Sequence, residues 1–146
     1  VPTRTARTAW SGTLAEGTGQ VELTSSGIGT YEVSFPKRAA DHSPGTTSPE
    51  ELIAAAHTAC YAMSLANEIA KAGGTPQALD VSATVTLGAD TDKGGFAITS
   101  VALTVEGEVE GLDADGFAKV AQVAKEGCPV SKALAGTTIT LEASLA

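Results

Sequence analysis

Residues 48–74, SPEELIAAAHTACYAMSLANEIAKAGG, decide how the rest of the chain is read. Ser48 fits a helix N-cap, Pro49 the first helical position and Glu51 the third, the pattern of a capping box. Leu52, Ile53, Ala56, Ala59, Cys60, Met63 and Ala66 follow at helical spacing, and Gly73–Gly74 ends the run. The spacing predicts one long helix over Ser48–Lys71, with a broad, alanine-rich apolar surface. So small-sided a helix packs closely against another element, and a second copy of itself is one candidate. Cys60 lies in the middle, where burial raises a thiol's pKa and suppresses the reactive thiolate.

On either side the pattern changes to strands. Thr5–Ser11, Gln20–Ser25 and Gly29–Phe35 read as three short strands, followed by the aperiodic stretch PKRAADHSPGTTSP over 36–49. Beyond the helix, Asp80–Leu87 and Phe96–Val109 alternate strictly around GADTDKGG, predicting a hairpin with a longer loop. Asp113 caps a helix to about Glu126 that Gly127 closes, Pro129 starts a short helix stopped by Gly136, and Thr137–Leu145 is a final strand. This order predicts an α+β fold with antiparallel or mixed sheets in a single domain over 1–146.

Composition narrows the function. The chain has 146 residues, is 42% hydrophobic and only 4% aromatic, so its core is built from Ala, Val, Leu and Ile. A net charge of −8 repels phosphate backbones and argues against nucleic-acid binding. No apolar run reaches the length of a membrane span, and VPTRTARTAW has no apolar signal-peptide core. Two cysteines without a CxxC pair do not make a secreted disulfide framework, which points to the cytoplasm.

The residues able to carry chemistry are few. A nucleophilic cysteine needs a cation to hold its thiolate and a polar partner to hold that cation. Of three arginines, Arg38 stands in the long polar stretch, twelve residues before Glu50. A bidentate Arg–carboxylate pair fixes a guanidinium better than a lysine could be fixed. Glu50 stands ten positions before Cys60, about 15 Å along a helix axis, so within one unbroken helix the two cannot meet. Glu51 is explained by the capping box. His57, one turn before Cys60, reads as a packed or hydrogen-bonded helix residue. A zinc site made with His42 and Cys128 lacks the usual close ligand pairs. Cys128, between Gly127 and Pro129, sits at a helix junction where unpaired N–H groups and a positive dipole end favour a thiolate.

SPEELIAAAHTACYAMSL followed by GCPVSKAL, with AWSG and GFAITSVAL, resembles the OsmC/Ohr family of thiol-dependent hydroperoxide reductases. HTAC, with His57, is similar to the OsmC branch. The resemblance implies an intertwined homodimer, its sheets packed around a long central helix, with two sites at the subunit interface. It implies a peroxidatic Cys60, a resolving Cys128 and a catalytic glutamate at Glu50. It also implies the catalytic arginine at Arg38, in SFPKRAAD; LAEGTGQ has none where the Ohr branch carries its own. Further implications are an antioxidant role in oxidative stress, organic hydroperoxides as substrates ahead of hydrogen peroxide, and no cofactor or metal. The disulfide Cys60–Cys128 would be recycled by an external dithiol, a lipoylated protein being one such reductant. Apolar residues around Cys60 (Ile53, Ala56, Met63 and Leu65) would favour the organic substrates. The rival reading is a non-catalytic module that binds a hydrophobic ligand, with structural cysteines.

Overall fold

A computed structural model describes residues 1–146, in two compact units, 1–52 and 53–146. In the first, β1 (Arg7–Ser11), β2 (Thr18–Glu22) and β3 (Thr30–Val33) form an antiparallel sheet in that order. Gly19 on β2 lies under Trp10 of β1: a Cβ there would stand 2.9 Å from the indole ring and 3.1 Å from Val33. β3 leads into α1 (Phe35–Arg38), a single turn capped by Ser34, whose hydroxyl accepts from the Lys37 N–H at 3.4 Å. The polar stretch 36–49 therefore opens as a helical turn rather than a loop, with Pro36 tolerated because first-turn N–H groups lack helical partners. It is tied back to β3 by the Thr47 N–H, which donates to the Glu32 carbonyl at 3.0 Å. Only Gly17, Gly19 and Glu50 are buried in residues 1–52, so this unit has almost no core of its own.

The long helix, α2 (Pro49–Lys71), is continuous. Ser48 Oγ accepts from the Glu51 N–H at 3.1 Å, as a cap should. The other half of the expected capping box is not made: the Glu51 carboxylate accepts instead from the Thr47 hydroxyl at 2.5 Å. After Lys71, Gly73 takes a positive φ of 86° and the Gly74 N–H closes on the Ile69 carbonyl at 3.0 Å.

The buried column of α2 is His57, Tyr61, Leu65 and Ile69, one residue every turn. Ala56, Ala59 and Met63, expected on the packed face, are exposed, Met63 by 74%. Alanine is apolar enough to suit either side of a helix, and the larger Tyr61, Leu65 and Ile69 decide which side faces inward.

In residues 53–146 the sheet order is β4 (Thr75–Ala89), β5 (Phe96–Glu110), β6 (Thr138–Leu145). β4 and β5 pair antiparallel, and β4 begins at Thr75 rather than Asp80 because a register shift between Pro76 and Ala78 accommodates the proline. β5 and β6 are parallel, a pairing that requires a crossover, here α3 (Ala114–Gly127) and α4 (Pro129–Ala133). Val101, Leu103 and Val105 point from β5 into the core against Tyr61, Leu65 and Ile69 of α2 and Phe117, Val120, Ala121 and Ala124 of α3. Gly107 continues this inward row, and a Cβ on it would sit 2.9 Å from the Phe117 ring. α3 is capped by Asp113, which accepts from the Gly116 N–H at 2.8 Å. Gly127 is its last helical residue, without positive φ, so the helix is closed by Cys128 in extended conformation.

Candidate active site

The expected site residues are brought together as two pairs. In residues 1–52, Arg38 ends the single turn α1 and Glu50 opens α2. The guanidinium grips the carboxylate through Nη2–Oε1 at 2.6 Å, Nε–Oε1 at 3.0 Å and Nε–Oε2 at 3.2 Å. Glu50 is nearly buried and Arg38 about a third exposed, so the carboxylate is committed to the pair while the guanidinium keeps donors to offer elsewhere. Beside Arg38 lies a cavity of about 130 Å³, lined by Trp10, Leu14, Val33, Phe35 and Pro49. It is almost wholly apolar apart from Ser34 and the guanidinium itself.

In residues 53–146, Cys60 and Cys128 are free thiols with their sulfurs 3.1 Å apart, sharing a hydrogen bond. Two bonds fix the α2–α3 contact beside them. The Tyr61 hydroxyl donates to the Ala121 carbonyl at 2.9 Å, and the Ser64 hydroxyl to the Ala124 carbonyl at 3.2 Å. The Cys128 N–H donates to the same Ala124 carbonyl at 2.9 Å, so the junction of α3 and α4 is pinned where the thiols meet.

The two thiols are not equivalent. Burial pushes the Cys60 thiol up, and its hydrogen bond to Cys128 adds to that, against a smaller opposite pull from the Val130 N–H. Burial also works against ionising Cys128. There it is outweighed by the hydrogen bond from Cys60, the N–H and hydroxyl of Ser131 and the N–H of Val130, which together draw the Cys128 thiol down. None of these makes a regular capping bond, yet together they are the positive helix end expected from GCPVSK. The chain on its own thus makes Cys128 the more acidic thiol of the two and Cys60 the less acidic. Without added positive charge, Cys60 is a poor nucleophile.

Residue-type reasoning missed Ser131. Its hydroxyl lies 2.7 Å from His57 Nε2, and both side chains are buried. The signal available was its place three residues after Cys128, in the first turn of the next helix, where side chains lean back toward the cap. His57 is a buried, hydrogen-bonded helix residue, as expected. No three His, Cys, Asp or Glu side chains converge as a metal site. No helix is long and apolar enough to cross a membrane.

Comparison with known proteins gives this geometry a context. The family model described as "OsmC-like protein" matches residues 41–142. Peroxiredoxin OsmC of Escherichia coli K12 is 41% identical over 136 residues, 93% of this chain and 92% of that protein. Among solved structures, the organic hydroperoxide resistance protein OhrB of Bacillus subtilis aligns with a TM-score of 0.72 at 28% identity, covering 97% of this chain and 98% of that one. An organic hydroperoxide resistance protein of Elizabethkingia anophelis aligns at 0.73 and 25% identity, covering 99% and 97%. With the α+β fold, the paired thiols and the Arg–Glu clasp alongside these matches, the chain belongs to the OsmC-like family.

Proposed function

We infer that this protein is a thiol-dependent peroxidase that reduces organic hydroperoxides, with Cys60 as the peroxidatic and Cys128 as the resolving cysteine. The observation that carries the reading is the pair of free sulfurs 3.1 Å apart, about an ångström beyond the ~2.05 Å of a disulfide. Small movement at the α3–α4 junction suffices to join them.

The raised Cys60 pKa sets the requirement for a cation, and Arg38, clasped by Glu50, is the one built to supply it. α2 is unbroken, so its rise keeps Glu50 about 15 Å of helix axis from Cys60 of the same chain. We therefore assign the clasp of one chain to the thiol of a second, in a homodimer with two sites. Two features support this. Ala56, Ala59 and Met63 form an exposed apolar stripe on α2, and residues 1–52 bury too little to stabilise a three-stranded sheet alone.

In the reaction, the Arg38-stabilised Cys60 thiolate attacks the terminal peroxide oxygen. The O–O bond breaks, the alcohol leaves with a proton, and Cys60 becomes a sulfenic acid. Cys128 condenses with it, releasing water and forming the disulfide. An external dithiol then attacks Cys60, because Cys128, the thiol of lower pKa, is the better leaving group. We assign the preference for organic substrates to the apolar cavity beside Arg38, with the outward-facing Ala56 and Met63 adding apolar surface at the interface; of the other residues expected around Cys60, Leu65 is in the core and Ile53 is half-buried. Recycling by a dithiol suits a reducing, cytoplasmic setting.

Intact mass after one equivalent of tert-butyl hydroperoxide tests the reading. Wild type loses two hydrogens, Cys128→Ser accumulates oxidised Cys60, and Cys60→Ser is inert. Two intact thiols in treated wild type, as a hydrophobic-ligand module would keep, or undiminished turnover in Cys60→Ser, overturn it.

A further inference from the structure

The peroxidase reading leaves one buried group unused. His57 is fully buried on α2, its Nε2 is 2.7 Å from Ser131 Oγ, and its Nδ1 has no partner. Ser131 lies in the first turn of α4, three residues after Cys128, and its hydroxyl and N–H help draw the Cys128 thiol down. We propose that Ser131 and His57 form a proton relay that activates Cys128 for disulfide formation, a role that rests on the peroxidase reading above.

The hydrogen-bond inventory gives the relay its states. A serine hydroxyl donates one hydrogen bond at a time. In the resting pair the Cys128 S–H donates to Cys60 Sγ. Once Cys60 is oxidised, that S–H turns to Ser131 Oγ while the Ser131 O–H donates to His57 Nε2, with the imidazole proton on Nδ1. When Cys128 ionises, Oγ takes the thiol proton as it passes its own to Nε2, and the Ser131 O–H now donates to the thiolate. The thiolate attacks the Cys60 sulfenic sulfur, the S–S bond forms and the S–O bond breaks. The departing hydroxide takes a proton back from His57 through Ser131 and leaves as water. One electron pair moves from Cys128 to Cys60, so both sulfurs end at the disulfide level, and His57 ends neutral as it began.

The unpartnered Nδ1 suits a proton that is lent and returned. Where a carboxylate holds a catalytic imidazole, it stabilises the imidazolium. Here nothing does, and burial depresses the His57 pKa, so imidazole is the resting form and imidazolium a brief one. Lys125 and Glu126 of α3 and Lys132 of α4 line one surface concavity with Ser131. The titratable groups that shift with Cys128 itself come from α2. They are Cys60 and Tyr61, whose phenol is held protonated by burial and by Cys128. α3 contributes Ala121 and Ala124 to the same cluster, and β5 and β6 contribute Val101 and Ile139. The histidine is the proton acceptor hydrogen-bonded to that hydroxyl.

The test separates the two half-reactions by rapid quench, trapping sulfenic acid with dimedone and scoring disulfide by mass, with tert-butyl hydroperoxide as the oxidant. Ser131→Ala should form sulfenic acid at the wild-type rate but close the disulfide about 100-fold more slowly, the size of a lost general base. Its pH–rate profile for closure should move to higher pH, and sulfinic acid should appear at Cys60. Ser131→Thr, which keeps the hydroxyl, should restore the rate and the profile. His57→Gln should behave as Ser131→Ala does. Should that buried substitution not fold, the serine variants, which change a single hydroxyl or methyl, decide alone. Disulfide closure in Ser131→Ala at the wild-type rate and with an unmoved pH profile overturns the relay. If wild type forms no sulfenic acid at all, the peroxidase reading itself is what fails.

Discussion

Arg38 and Glu50 form a three-contact clasp at the mouth of α2, with Nη2 2.6 Å from Oε1, in a part of the chain with almost no core of its own. A clasp so well made on so thin a support is hard to explain as ballast for the fold. Exposed ion pairs contribute at most about 1 kcal/mol, and Arg38 keeps a third of its side chain open.

Arg38→Lys keeps the charge but gives up the fork. The rate of Cys60 oxidation by tert-butyl hydroperoxide, followed by stopped flow, should fall about 100-fold, as for loss of one positioned donor. Circular dichroism should be unchanged. Glu50→Gln should fall by a similar factor, since it frees the guanidinium to wander.

If one chain's clasp serves another's thiol, two dead variants should revive each other. Cys60→Ser and Arg38→Ala, each inactive alone, should regain about a quarter of wild-type activity after unfolding and refolding together. Random pairing makes half the dimers mixed, each with one whole site. Activity that stays absent in the mixture would place both halves of the site within one chain.

Met63→Glu puts a charge on the exposed stripe of α2 without touching the core. Sedimentation should show a shift to monomer, and peroxide reduction should drop with it, while Cys60 and Cys128 remain free and close together. An unchanged dimer would mean that the stripe is not the contact.

Acid should weaken the fold through His57. Its folded pKa lies below 6.5, so unfolded chains take up a proton that the buried ring refuses. Stability is fully present above pH 6.5 and is lost as pH falls toward the folded pKa. The slope approaches about 1.4 kcal/mol per pH unit. Urea melts at several pH values should show this slope in wild type and a shallower one in His57→Gln, whatever the variant's absolute stability.

Gly107→Ala should destabilise by about 1–3 kcal/mol, because the new methyl meets the Phe117 ring at 2.9 Å in a packed core. Phe117→Leu in the same chain should recover part of the loss, measurable as a partial return of the urea midpoint.

What could be read from the residues depended on the range of the interactions that fix them. The ends of α2, the pairing of β4 with β5 and the Asp113 cap follow from neighbours a few positions apart and stand as expected, apart from the unmade half of the capping box and the earlier start of β4. α1 escaped because one turn has no period to detect. The inward face of α2 escaped because its column includes His57, a polar residue made acceptable inside by Ser131 from far along the chain. The pairing of Cys60 with Cys128 came from the family resemblance rather than from spacing, since sequence separation says nothing of distance across a fold. That Glu50 and Cys60 cannot meet on one unbroken helix, by contrast, needed only the rise per residue.

The sparse burial in residues 1–52 has a consequence for how such an enzyme would be lost. The thiol pair is anchored in a packed core, whereas Arg38, proposed to ionise Cys60, lies in residues 1–52, which bury almost nothing of their own. Mild dilution should therefore silence catalysis well before heat or denaturant reaches the cysteines. The inactive molecules would be intact halves, and concentrating them should bring the activity back.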